Sequence, residues 1–349
     1  RSGELFTFGI GEHGVLGHGT DGRAPTPTRV EGLVGVAVVA AACGWRHTCA
    51  ITAASELFAW GHGGYGQLGH GGAIDFWLPL QVQDLPGVEQ VSCGARHTAA
   101  LASGGIAHTW GDGEFLQLGH GGRSRELSPR PVDALAGVPL RQLECGAHHT
   151  VALTVDGAVY TWGAGGHGQL GHGGRASEPT PRRCVALGGA RVVRIACGGH
   201  TLALTERGEL FGWGQGRHGE LGVGDYACRA APTRVRALRD AVVIGIAAGA
   251  HHSLALTDDD GVYTWGAASA GELGHGGDAR EPTPRPLVGA CGARLVFAAC
   301  GGGHNILLAS GRGAAIAYAP STAPPTPLLP SHKLVLDADL ADLADLDLA

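Results

Sequence analysis

The chain is expected to be an all-β protein, a seven-bladed β-propeller with six complete repeats and an incomplete seventh. Three observations predict this. A stretch of an aromatic residue, a glycine-rich turn and Leu-Gly-His-Gly begins at Phe8, Trp60, Trp110, Trp162, Trp213 and Trp265, with offsets of 52, 50, 52, 51 and 52 residues. A fixed period of that size marks modules stacked in a row or a ring. Within each period, short segments alternate in period two, as strands do. No helical periodicity interrupts the array, and four short antiparallel strands per repeat is the pattern of a propeller blade.

Each repeat follows one script. The first strand ends in the aromatic, as in Glu56-Leu57-Phe58-Ala59-Trp60 or Ala158-Val159-Tyr160-Thr161-Trp162. The glycine turn and a polar loop follow. Then comes a proline segment such as Pro25-Thr26-Pro27 or Pro282-Thr283-Pro284. Proline cannot donate to a ladder, so this segment suits a loop exit or an outer edge strand. A second apolar strand, as at 36–42 or 242–247, runs into Cys-Gly-x-x-His-Thr and a third strand. Turns such as Asp156-Gly157 open the next repeat.

By this count one domain covers 1–336, with repeats at about 3–54, 55–104, 105–156, 157–207, 208–259 and 260–311 and a partial one at 312–336. The partial repeat keeps Pro324-Pro325-Thr326-Pro327 and a strand candidate, Lys333-Leu334-Val335-Leu336. Arg1-Ser2-Gly3 matches the turn after a Cys-Gly-x-x-His strand, so the strand that completes the last blade is expected upstream of residue 1. Strands from both chain ends would then close the ring and remove exposed edges. The acidic segment 337–349, rich in Leu, Ala and Asp, is expected to be a poorly ordered tail.

Composition excludes several classes. The net charge is −6 and no long basic run occurs, so direct nucleic-acid binding is not expected. No apolar run is long enough to span a bilayer. Nine cysteines are an odd number for a disulfide framework, and Cys43, Cys93, Cys145, Cys197 and Cys300 share one repeat position. Buried thiols and a reducing compartment, cytoplasm or nucleus, are the expectation.

The doubled motif, Trp-Gly-x-Gly-x-x-Gly-x-Leu-Gly-His-Gly with Cys-Gly-x-x-His-Thr, resembles the regulator of chromosome condensation repeat family over residues 3–318. The resemblance implies a seven-bladed propeller, used by different members for different tasks. One member is a guanine nucleotide exchange factor for the small GTPase Ran. It relies on an inserted β-hairpin wedge and a basic arm, and the even spacing here leaves no room for such a wedge. Another is a plant UV-B photoreceptor that uses clustered tryptophans within Gly-Trp-Arg-His-Thr. That motif occurs once here, at Gly44-Trp45-Arg46-His47-Thr48; Ala95, Ala147, Gly199, Ala250 and Gly302 stand at the matching positions. The expected function is therefore a protein-interaction platform, part of a larger regulatory protein. Nucleotide exchange on a Ran-like GTPase is the alternative, and photoreception comes behind it. A protein partner, with a small GTPase as one possibility, and a monomeric disc are expected.

Strict repetition assigns most chemically suggestive residues to structure. Trp60, Trp110, Trp162, Trp213 and Trp265 are expected to pack blade against blade. His47, His97, His149, His200, His252 and His304 share one position; His18, His70, His120, His172 and His275 share another, where Val223 replaces the sixth. Equivalent residues on different blades lie on a circle, so no metal site, cofactor or catalytic group is expected from them. The imidazoles are expected to bond to backbone within each blade. Breaks in the repeat point to binding. The loop after Leu-Gly-His-Gly carries Asp75, Phe76 and Trp77 in the second repeat, and Arg123, Arg125, Arg175 and Arg280 elsewhere. Aromatic residues and arginine dominate binding hot spots. Phe76 and Trp77, with Arg123 and Arg125 on the adjacent blade, are thus the candidate partner surface.

Overall fold

The computed structural model describes residues 3–85, 87–288, 294–310 and 332–334. The chain opens with β1 (Phe6–Gly9) and β2 (Ala24–Arg29), a two-stranded sheet. β3 (Val38–Cys43), β4 (His47–Thr52), β5 (Leu57–Gly61) and β6 (Phe76–Gln81) form the first four-strand meander. The pattern repeats in β7 (Val88–Cys93), β8 (His97–Ala102), β9 (Ile106–Gly111) and β10 (Glu126–Pro131). It continues in β11 (Leu140–Cys145), β12 (His149–Thr154), β13 (Val159–Gly163) and β14 (Glu178–Arg183), and in β15 (Val192–Cys197), β16 (His200–Thr205), β17 (Leu210–Gly214) and β18 (Arg229–Arg234). The last full meander is β19 (Val243–Ala248), β20 (His252–Thr257), β21 (Val262–Gly266) and β22 (Glu281–Pro286). β23 (Arg294–Cys300) and β24 (Asn305–Ser310) pair as a sheet of two. β25 (His332–Leu334) pairs antiparallel with β3, so that blade has five strands.

This is the expected propeller architecture, with the proline segment as the fourth, outermost strand of each full blade. The blades are offset from the sequence repeats. Each takes its two inner strands from one repeat and its two outer strands from the next, so β3–β4 and β5–β6 lie either side of the 54/55 repeat boundary. Of the partial repeat, only 332–334 fall within the described residues; Pro324 to Pro327 and the tail lie outside them.

One bonding scheme holds neighbouring blades together. The backbone carbonyl of Gln67, in the turn after β5, accepts the indole N–H of Trp110 at 3.0 Å and the hydroxyl of Thr98 at 2.8 Å. Gln169 does the same for Trp213 and Thr201, and Glu220 for Trp265 and Ser253. The Thr98 hydroxyl in turn meets His47 Nε2 at 2.9 Å. The same cross-blade contact joins His97 to Thr150, His149 to Thr201, His200 to Ser253 and His252 to Asn305. These imidazoles therefore bind a side chain on the next blade, not backbone of their own as expected, because β4 and its counterparts face the seam. His304 differs from the five in being exposed. The other histidine set does stay within its module: His120, His172 and His275 meet Thr109, Thr161 and Thr264, and His70 meets the Ala59 carbonyl.

The tryptophans explain the glycine of Leu-Gly-His. All five Trp side chains are fully buried. A Cβ at Gly119, whose φ is +78°, would stand 2.7 Å from Trp162 Nε1, and Gly17, Gly69, Gly171 and Gly222 are placed alike under Trp60, Trp110, Trp213 and Trp265. Glycine is needed twice over, for the left-handed backbone and for the close approach. Phe8, the near-copy in β1, is 55% exposed.

Candidate protein-binding face

The glycine-rich turns and the Cys-Gly-x-x-His corners emerge at the same end of the strands, since both follow a strand that runs that way. Around the central opening the corners form a chain of backbone bonds. Trp45 N–H donates to the Gly94 carbonyl, Ala95 to Ala147, Ala147 to Gly198 and Gly199 to Ala250. The variable x-x residues thus stand on a rigid rim. Trp45 reaches past Ala95 to His148, ring centroids 6.2 Å apart, and His148 lies 4.6 Å from Phe115. Phe115 is itself 37% exposed.

Beside this group is an arginine–tyrosine stack. The Arg96 guanidinium lies 4.3 Å from the Tyr65 ring centroid and Arg125 lies 4.9 Å from it. Cation–π contacts hold such planar groups in place while leaving donors outward. Arg96 also stands 3.9 Å from the buried Asp112 carboxylate. Burial and the nearby Arg96 charge hold His148 below its ordinary pKa.

The third group gathers His13, His62 and Asp75. Asp75 accepts the Gly63 N–H at 2.9 Å and meets His13 Nδ1 at 2.9 Å; His62 Nε2 is 4.0 Å away. Burial alone would raise the Asp75 pKa, but the bonds from Gly63 and His13 outweigh it and the net shift is downward. The donor atoms lie within 4.8 Å of one another, a spacing a metal ion can use. The surrounding bonds oppose it. Gln67 accepts the Tyr65 N–H through its oxygen, so its amide nitrogen donates to His62 Nδ1. That leaves the proton on Nε2, the atom facing Asp75. Arg46 likewise donates to His13 Nε2 and leaves the proton on Nδ1. A ligating histidine needs the opposite tautomer, with its outer nitrogen donating.

The predicted loop residues are distributed over the seams. Phe76 and Trp77 are in strand β6, not in a loop. Phe76 is half-buried against His70, ring centroids 4.9 Å apart, and packs on the blade core. Trp77 is 40% exposed. Its indole donates to Asp21 at 2.8 Å and its ring covers Gly14 in the preceding turn. Arg125 reaches back to Tyr65 and the Gly64 carbonyl, and Arg280 reaches back to the Arg217 carbonyl. Arg123 donates to the Glu114 carbonyl beside it, and Arg175 is exposed. The loop residue of one repeat thus caps the turn of the repeat before it. Trp77 covers one seam and Arg125 the next. Asp75 and Arg125 are linked only through His62 and Tyr65. Sequence reasoning missed Tyr65, Arg96, Phe115 and His148. The signal available was the variable x-x pair of Cys-Gly-x-x-His, whose register with the turns only the fold reveals.

The profile of the RCC1-like domain matches residues 1–307. The chain belongs to the RCC1-like domain family. It is 34% identical over 310 residues to the ultraviolet-B receptor UVR8 of Arabidopsis thaliana, covering 87% of this chain and 70% of UVR8. It is 33% identical over 325 residues to the human E3 ubiquitin-protein ligase HERC2, covering 92% of this chain but 6% of HERC2. With the mitochondrial RCC1 domain-containing protein RUG3 of Arabidopsis thaliana it shares 36% identity over 276 residues, 78% of this chain and 52% of RUG3. Among solved structures, human WBSCR16 superimposes with a TM-score of 0.79 at 25% identity, covering 88% of this chain and 81% of that one. Prp20p of Saccharomyces cerevisiae, described with its binding properties to Gsp1p and histones, gives 0.76 at 21% identity, covering 97% and 80%. No helix among the described residues is long and apolar enough to cross a membrane.

Proposed function

We propose that this chain is a protein-interaction platform whose binding face carries Trp45, Tyr65, Arg96, Phe115 and Arg125. The arginine–tyrosine stack carries the reading. It puts partly exposed aromatic and guanidinium groups, the types enriched in binding hot spots, on a scaffold that fixes them before a partner arrives. Ordering those side chains on binding then costs little. The glycine turns lack the following helix that a phosphate loop uses.

The test compares a Tyr65→Ala/Arg96→Ala double variant with Val185→Ala, an exposed position at the other end of the strands. Partners captured by the wild-type chain are expected to be lost by the double variant and kept by Val185→Ala. Equal capture by all three would refute the assignment of the face. Exchange on a small GTPase is the second reading, favoured by the likeness in fold to Prp20p. It requires that the chain speed release of labelled nucleotide from a GTPase, which a platform does not do.

A further inference from the structure

The seam between the β3–β6 and β7–β10 blades holds a group of residues that no other described seam reproduces. His47, Cys49 and Cys93 bring a ring nitrogen and two thiol sulfurs within 4.8 Å of one another, and all three are fully buried. The Cys93 thiol interacts with both Cys49 and His47. His47 and Cys93 occupy repeat positions; Cys49 does not. Its counterparts are Ala99, Val151, Leu202 and Leu254. The seams that pair His97 with Cys145 and His149 with Cys197 therefore lack a second sulfur.

The hydrogen bonds around His47 set its tautomer. The Thr98 hydroxyl donates its proton to the Gln67 carbonyl at 2.8 Å, so it accepts from His47 Nε2–H at 2.9 Å. Nδ1 then carries the lone pair; it is buried, as it is in His200 and His252, and what sets this seam apart is the two thiols beside the ring, of which Cys93 interacts with it. A ligating imidazole is held in this way, with its outer N–H anchored by a second group. It is the reverse of the His13–His62–Asp75 arrangement.

We propose that His47, Cys49 and Cys93 form a buried site for a thiophilic cation with a filled d shell, copper(I) or zinc. Two sulfurs and one imidazole are soft donors suited to these ions and unsuited to magnesium or calcium. Three donors favour copper(I), because structural zinc sites close with four. Binding forms Cu–S and Cu–N bonds, with no change in oxidation state. Each thiol that ligates gives up a proton to solvent, so loading weakens as pH falls.

The chain is produced in copper-supplemented and zinc-supplemented cultures, purified under reducing conditions, and its metal counted by elemental mass spectrometry. Wild type is compared with Cys49→Ala and with Cys228→Ser, which removes a more accessible thiol. Ala is the natural occupant of the same place in the next repeat, so Cys49→Ala is expected to fold, and a melting curve checks that it does. The expected result is about one ion per wild-type and Cys228→Ser chain and at least a tenfold smaller amount in Cys49→Ala. The melting temperature should rise with the ion in wild type alone, since a ligand stabilises the state that binds it. Equal metal content in wild type and Cys49→Ala, or none in either, overturns the proposal. The culture that yields the loaded chain identifies the ion.

Discussion

Glu220, like Glu272 in the following turn, shows what a carboxylate does where most turns of the repeat carry glutamine. Gln67, Gln117 and Gln169 occupy the same place in other turns and accept a backbone N–H two residues back. Glu220 makes the same bond to His218, but its second oxygen is buried without a hydrogen bond. Burial pushes its carboxyl up to about 7 from the ordinary 4.5. The folded state thus favours the protonated form. The penalty is absent below the unfolded value, grows as pH rises between the two, and is complete above the folded one. Glu220→Gln, which keeps the acceptor, should gain about 2–3 kcal/mol at about pH 8 and nothing at about pH 4. Denaturant unfolding at the two pH values checks this. Trp110→Ala tests the packing role the repetition implied for tryptophan. The side chain is fully buried and its indole N–H is bonded, so a loss of about 3–5 kcal/mol is expected from the same measurement.

At the level of strands and turns, glycine separates structural from permissive positions. Gly119→Ala forces a Cβ against Trp162 at a backbone φ of +78° and should cost about 2–4 kcal/mol. Gly166→Ala meets nothing within 4 Å and needs no left-handed backbone, so it should be neutral or gain up to about 1 kcal/mol. Thermal unfolding of the two variants separates them. Strand content was legible in the sequence because period-two alternation and the proline edge segment are local signals. The seam was not legible. That His47 bonds to Thr98 depends on which faces of β4 and β8 meet, and a repeat shows equivalence without showing contact. Phe76 and Trp77 read as loop residues because Gly71-Gly72-Ala73-Ile74 before Asp75 shows no alternation that marks where β6 begins. The candidate face suffered most. Tyr65 and Arg96 come from one repeat but from different motifs and different blades, and only the bend between β7 and β8 brings them together.

Across the whole molecule three of the seam histidines respond to pH alike. Burial holds His149 and His200 down to about 3 and His252 down to about 4, all below the ordinary 6.5. They fold neutral, so their stabilisation is present above the unfolded value and is lost as pH falls toward the folded ones. At about pH 5 each costs about 2 kcal/mol, and cooperative acid unfolding is expected well above the range where carboxylates alone would drive it. A pH series of melting temperatures, compared with a Glu220→Gln background, isolates the histidine share. The offset between repeat and blade has a different kind of consequence. Because every full sheet takes two strands from one 50–52-residue period and two from the next, duplicating or deleting one period at any pair of equivalent points in the gene splits no sheet. The new junction meets histidine partners of the same kind as the old one, a threonine, serine or asparagine side chain on the next blade. A lineage can therefore lengthen or shorten this array by whole units in a single step, with ring curvature as the remaining constraint.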